Sequence, residues 1–143
     1  MGMGTITYDS TNNKLFIGEK YTAQDGPAAR ILVPGDDYIG SRQQIATTSP
    51  GSTEKAIVYD SNADRVVIAY RDSNDSYKGK VVVATCTATG ITATGTPVVF
   101  SGGNTNSYIN ATFDSSTNRV IVIWSENNIN YTVDQITVGA GGK

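Results

Sequence analysis

The chain of 143 residues contains no histidine and a single cysteine, Cys86. The absence of histidine excludes Ser-His-Asp and Cys-His catalysis and any zinc site with a histidine ligand. One cysteine allows neither an internal disulfide nor a four-cysteine metal site. Charged residues make up only 17% of the chain, and the eleven basic ones are scattered. A nucleic-acid groove needs clustered Lys and Arg, so we expect no nucleic-acid partner.

Long hydrophobic runs are also missing. No stretch approaches the roughly 20 apolar residues of a membrane-spanning helix. The opening "MGMGTITYDS" lacks the basic and apolar regions of a secretory signal, so we expect no such signal, and the lack of a spanning run leads us to expect no membrane partner. Hydrophobic residues make up 38% of the chain, and Ser, Thr, Asn and Gly fill the difference. This composition favours short strands joined by polar turns, and the length suits a single domain over residues 1–143.

The clearest positive feature is a motif that occurs three times. Its pattern is aromatic-Asp-Ser-x-x-(Asn/Asp)-(Lys/Arg)-apolar, as in "YDSNADRV". The copies begin at Tyr8, Tyr59 and Phe113, so they are 51 and 54 residues apart. A period of this size indicates a repeat architecture. We place the repeats at about 5–54, 55–107 and 108–143.

The motif has the chemistry of a tight β-hairpin. An Asp at the head of a turn accepts hydrogen bonds from backbone N–H groups two or three residues later. An Asn or Asp near the end of the turn tolerates the left-handed conformation. We therefore assign a structural role in the turn to both sets of residues. They are Asp9, Asp60 and Asp114 at the head, and Asn13, Asp64 and Asn118 near the end.

The strands that follow the turns predict the layer arrangement. "RVVIAY" and "RVIVIW" are apolar at both odd and even positions. A sheet with one face in water should alternate, so we expect these two strands to be covered on both faces. The second copy continues with a third strand in "KVVVATCTATG" and a fourth in "ITATGTPVVFSGG". In the first copy, "AARILVPG" supplies the third strand and "DYIGSRQQIATTSPG" contains the fourth.

The third copy has its first two strands and then "NYTVDQITVGAGGK", and it ends about where we expect a fourth strand to begin. The sequence thus predicts an all-β fold of three four-stranded antiparallel repeats, the last one incomplete. Such units resemble the blades of a β-propeller, which needs four to eight of them. We expect oligomerisation to complete the fold, for example with two chains forming six blades. The alternative is a β-trefoil, which would close within one chain.

Two aromatic residues are candidates for a carbohydrate site. Tyr70 and Trp124 align with each other across the repeats, and Glu19 takes the corresponding place in the first copy. Exposed aromatic rings often stack on sugars. The favoured alternative is that both are core residues at the end of an apolar strand.

Carboxylates are the other candidates for chemistry. The turn residues Asp9, Asp60 and Asp114 carry the oxygen ligands that calcium prefers, but no second carboxylate recurs beside them at fixed spacing, so turn capping is favoured. A glycosidase pair would need two nearby carboxyl groups. The residues considered for it, which are better explained as solvated turn residues, are Asp36, Asp37, Asp72, Asp75 and Glu126. We predict no catalytic residue, no cofactor and no metal site.

"YDSNADRVVIAYRD", then "TGITATGTPVVFSGG" and "YINATFDSSTNRVIVIW", resembles the repeats of bacteriophage virion proteins, especially repetitive tail and fibre proteins. The resemblance covers about residues 55–125 and, less closely, residues 5–20. It implies a structural role in the virion, on the head surface or the tail, with copies of the chain and other virion proteins as partners. It carries no catalytic residues. The alternative function is a lectin-like module that binds a host-surface glycan through Tyr70 or Trp124.

Overall fold

The computed structural model describes residues 5–20, 27–35, 43–45, 55–87, 90–101, 103, 105–126 and 130–136. This part of the chain is all-β, with twelve strands in three antiparallel sheets and one 3-10 turn, Ser73–Asp75. The all-β prediction is therefore confirmed. Within the described ranges the three sheets are separate, and none closes on itself.

The first sheet is a meander of four strands in chain order. Its strands are β1 (Thr5–Asp9), β2 (Lys14–Lys20), β3 (Pro27–Leu32) and β4 (Gln43–Gln44). The predicted third strand is present, and the described part of the predicted fourth strand comprises Gln43 and Gln44.

The central sheet has five strands where four were predicted. Its strands are β5 (Lys55–Asp60), β6 (Arg65–Asp72), β7 (Lys78–Cys86), β8 (Ile91–Ala93) and β9 (Val98–Ser101). The predicted fourth strand is interrupted near Gly95, which has a φ of 102°. A positive φ is not compatible with an extended strand. Both halves, β8 and β9, pair with β7.

The third sheet contains three strands in the described part of the chain, in the order β10 (Thr105–Asp114), β11 (Arg119–Glu126) and β12 (Asn130–Ile136). It begins at Thr105, slightly before the expected start of the third repeat. Its first hairpin repeats the register of the other two sheets, because Asp114 pairs with Arg119 as Asp60 pairs with Arg65.

Two hydrophobic clusters join the sheets face to face. The first cluster lies between the first and central sheets, where Phe16 and Ile31 meet Ile57, Val66 and Ile68. The second lies between the central and third sheets. It includes Val58, Val67 and Ala69 from the central sheet and Val120, Val122 and Trp124 from the third. Because side chains alternate along a strand, the central sheet supplies both clusters from opposite faces.

The prediction that the post-turn strands are covered on both faces is confirmed for "RVVIAY" and wrong for "RVIVIW" within this chain. Val66 to Tyr70 are all buried. On β11, Val120, Val122 and Trp124 are buried, whereas Ile121 is half-buried and Ile123 is exposed. The physical reason is position in the stack. Among the described sheets, the third has a packed neighbour on one face only.

Candidate functional site

The three hairpin turns share one hydrogen-bond pattern. The Oδ1 atom of Asp9 accepts from the backbone N of Thr11 and of Asn12, both at 2.9 Å. Asp60 does the same with the two corresponding residues at 3.0 and 2.9 Å. In the third copy Asp114 accepts from the corresponding backbone N atoms and from two hydroxyl groups as well. Each Asp therefore satisfies the backbone of its own turn.

The end of each turn is left-handed. Asn13, Asp64 and Asn118 have φ values of 53°, 52° and 59°. In two copies the aromatic residue of the motif adds a hydrogen bond to this position. The hydroxyl of Tyr8 donates to Asn13 at 2.7 Å, and that of Tyr59 donates to Asp64 at 2.8 Å. Phe113 has no hydroxyl group, so the third turn lacks this bond.

The turn carboxylates differ in burial but not in role. Asp9 and Asp60 are buried, whereas Asp114 is half-buried. Burial opposes the charged form of Asp9, yet the hydrogen bonds from Asn12, Tyr59 and Thr11 together outweigh it and lower its pKa. For Asp114, hydrogen bonds from the Ser116 and Thr117 side chains lower the pKa to about 2. Both carboxylates are thus held in the charged form as acceptors, which suits turn capping.

Tyr70 and Trp124 lie in the core. Tyr70 belongs to the cluster between the first and central sheets, and Trp124 to the cluster between the central and third sheets. The Trp124 ring packs edge-on against Phe100, with 4.8 Å between ring centroids. Stacking on a sugar requires an exposed ring face, and neither residue offers one. The surroundings of both residues match the alternative favoured from the sequence, that they are core residues at the end of an apolar strand.

The candidate carboxylates have ordinary structural partners. Buried Asp72 accepts from the Nζ atom of Lys80 at 2.7 Å, and Asp75 lies 2.9 Å from the same nitrogen. Hydrogen bonds from Lys78 and Lys80 lower the pKa of Asp75. Glu126 accepts from the hydroxyl of Ser101 at 2.9 Å. Asp72 and Asp75 are therefore bridged by one lysine, and the partner shown for Glu126 is a serine hydroxyl.

Asp36 and Asp37 lie outside the described residues. Among the residues that are described, no group of three or more His, Cys, Asp or Glu side chains is placed to hold a metal ion.

The most distinctive surfaces are the two ends of the stack. We call the outer face of the first sheet the leading face. Ile6 and Tyr8 project from it and are exposed, beside half-buried Leu15 and Ile17. An ion pair also joins Arg30 to Glu19 in this sheet, with 2.8 Å between the Nε and Oε1 atoms. Glu19 is the residue that aligns with Tyr70.

We call the outer face of the third sheet the trailing face. Ile123 and its cross-strand neighbour Val133 are exposed there, and Ile121 is half-buried. Thr112 lies opposite Ile121 and is exposed. Sequence reasoning did not single out these faces. The available signal was "RVIVIW", whose residues are apolar at both odd and even positions, whereas in the described part of the chain a second sheet packs on only one face of this strand.

No family model matches the chain, and neither the curated proteins nor the solved structures contain a significant match. Over the described ranges, no helix is long and apolar enough to cross a membrane.

Proposed function

We propose that the chain is a non-enzymatic structural protein of a bacteriophage particle, either a capsid decoration or a tail component. It would act by assembling with copies of itself and with other virion proteins. The observation that carries the proposal is the presence of exposed Ile, Val and Tyr side chains on both ends of the stack of sheets. An apolar sheet face that packs on another sheet is part of the core. The same face at the end of a stack is exposed and is suited to association with another molecule.

The proposal includes a propeller-like arrangement completed between chains. Two features favour it over a trefoil. The three sheets pack face to face in chain order, through two successive clusters. Their first strands also lie side by side, because β5 contacts both β1 and β10. Blades around a propeller axis are related in this way.

A virion role is supported by the repeat resemblance over residues 55–125. It is also supported by the hairpin turns, whose aspartates accept hydrogen bonds from the backbone of their own turn. The carbohydrate-binding alternative receives no support from Tyr70 and Trp124, because both rings are buried. Any glycan would have to bind elsewhere.

The decisive experiment is quantitative mass spectrometry on density-purified particles of the phage that encodes the chain. We expect the protein in many copies per particle, at a fixed ratio to the major capsid or tail protein. Detection of the protein only in infected-cell lysate, with none in purified particles, would overturn the virion role.

A further inference from the structure

We propose that two copies of the chain associate head to tail, with the trailing face of each copy packed on the leading face of the other. This pairing rests on the assembly role proposed above and specifies which surfaces meet. Each junction between copies would repeat the packing that already joins the sheets within one chain.

The argument begins with the direction of stacking. Repeat alignment on Asp9, Asp60 and Asp114 makes Ile6, Ile57 and Ala111 equivalent. In the central sheet the face that carries Ile57 packs on the first sheet. In the third sheet the equivalent face packs on the central sheet. In both cases the same side of a repeat contacts the preceding repeat, so the stack has a polarity.

This polarity leaves one face of each kind uncovered. In the central and third sheets, one face contacts the preceding repeat, and the leading face is the equivalent face of the first sheet. In the first and central sheets, the opposite face contacts the following repeat, and the trailing face is the equivalent face of the third sheet. An interface of this kind is heterologous, because two different surfaces of the same chain meet. A second copy would therefore bring to the leading face a preceding repeat, which the described sheets of one chain do not provide.

Burial follows this order through the repeats. Ile6 is 62% exposed, whereas its equivalent Ile57 is 7% exposed beneath the first sheet. Tyr8 is exposed, whereas its equivalent Tyr59 is buried. The turn aspartates show the same trend on the opposite face. Asp9 and Asp60 are buried, whereas Asp114 in the third sheet is half-buried. In these comparisons, equivalent positions are more exposed at the end of the stack, where no further described sheet packs on them.

One contact within the chain predicts a contact between chains. The Oγ1 atom of Thr7 accepts from the backbone N of Tyr59 at 3.1 Å, across the junction of the first and central sheets. The repeat equivalents of these residues at the proposed junction are Thr112 on the trailing face and Tyr8 on the leading face. Both pairs combine threonine with tyrosine, so the side-chain acceptor is retained.

A second contact maps in the same way. A Cβ atom at Gly18 would lie 3.6 Å from the Cγ2 atom of Ile57. The equivalents are Ile123 and Ile6, which are exposed at the two ends of the stack. The proposed junction thus places two isoleucines where the first internal junction has Gly and Ile. It would bury more apolar surface, with a wider separation of the two sheets.

The number of copies follows from the number of sheets. Closed propellers have about four to eight blades. Each chain supplies three sheets, so two chains give six and three chains would give nine. Only the two-chain ring falls within the range. Both of its junctions would be of the same kind, and neither end face would remain open.

Cysteine cross-linking tests the junction directly. In a Cys86→Ala background, Thr112→Cys and Tyr8→Cys would be made singly and together, since a disulfide requires Cα atoms within about 7 Å. We expect no dimer from either single variant, a covalent dimer from a mixture of the two, and a dimer from the double variant. Tyr8→Cys with Val98→Cys is the negative control, because Val98 is exposed on the central sheet, away from both faces.

The alternative outcomes are informative. A dimer from Tyr8→Cys alone would mean that two leading faces meet, and one from Thr112→Cys alone would mean that two trailing faces meet. Either result overturns the pairing. A ladder of trimers and longer species from the double variant would overturn the two-chain ring.

Sedimentation velocity of the unlinked protein gives an independent test. Ile123→Asp and Ile6→Asp should each raise the apparent dissociation constant by about tenfold or more, as expected for apolar anchors in an interface. Val98→Asp should leave it unchanged. Circular dichroism would check that the variants remain folded.

A wild-type chain that is monomeric at all concentrations, or a dimer indifferent to both substitutions, would overturn the inference. Either result could occur with a protein that is still abundant in purified particles. The virion role therefore stands or falls on the separate particle experiment.

Discussion

Ile57→Ala and Ile6→Ala make the same chemical change at equivalent positions of two repeats, and they should differ in cost. Ile57 is 7% exposed within the cluster between the first and central sheets, whereas Ile6 is 62% exposed. Truncation of a buried isoleucine costs about 2–5 kcal/mol. Full burial of such a side chain stabilises by about 1.5–3 kcal/mol, so the part of Ile6 that is buried contributes about 1 kcal/mol. Strand propensity changes equally in both variants.

Urea unfolding at a low protein concentration, where association is negligible, would measure both costs. With a slope of about 2 kcal/mol per M, we expect the midpoint to fall by about 1.5 M for Ile57→Ala and by about 0.5 M for Ile6→Ala. Equal shifts would refute the assignment of Ile57 to a covered face and of Ile6 to an open one. The slope itself should be the same in both variants, because neither changes the overall extent of the fold.

Three further predictions concern polar and backbone features. Asp114→Asn should lower the melting temperature at pH 7, because the carboxylate accepts hydrogen bonds that hold its pKa at about 2, below the usual 3.8. A depressed pKa stabilises the fold above pH 4, and this contribution is lost as the pH falls through 2. The melting temperatures of the wild type and the variant should therefore converge between pH 7 and pH 2. A difference that stays constant over this range would contradict the role of the carboxylate. Asp72→Asn should destabilise the fold by about 1–3 kcal/mol in urea unfolding, because it removes the charge that pairs with Lys80 at 2.7 Å, and an unchanged midpoint would refute that role. Asn118→Val should cost about 1–3 kcal/mol because its φ is 59°, whereas Asn118→Gly should be tolerated, and equal midpoints for the two variants would argue against a left-handed requirement there.

Local structure was the part of the fold that the sequence made most predictable. The turn motif specifies its own hydrogen bonds, since an Asp at the head and an Asn or Asp near the end act within six residues. The Asp60 turn accordingly has both expected backbone contacts and a φ of 52° at Asp64. The division of "ITATGTPVVFSGG" into two strands was not predicted. It depends on the positive φ of Gly95 and on the room along β7 for two partners, which is a tertiary feature.

The candidate site was predicted less well, because an aromatic residue in this position of the repeat can lie either in the core or on a binding surface. Tyr70 and Trp124 end apolar strands, and the sequence alone could not show whether a neighbouring sheet covers them. Both are covered. The exposed aromatic residue on the leading face is Tyr8, which is identical in motif position to buried Tyr59. Local sequence cannot separate two copies that differ only in which sheet lies above them.

The apolar pattern of β11 carries the remaining information. Its residues alternate between buried and accessible, although all from Val120 to Trp124 are hydrophobic. In a monomer, isoleucine at positions 121 and 123 leaves apolar surface in contact with water, which promotes nonspecific association. Such a strand is suited to an environment that covers both faces. The central sheet has this environment within the chain, and under the head-to-tail association proposed above the leading face of a second copy would provide it for the third sheet.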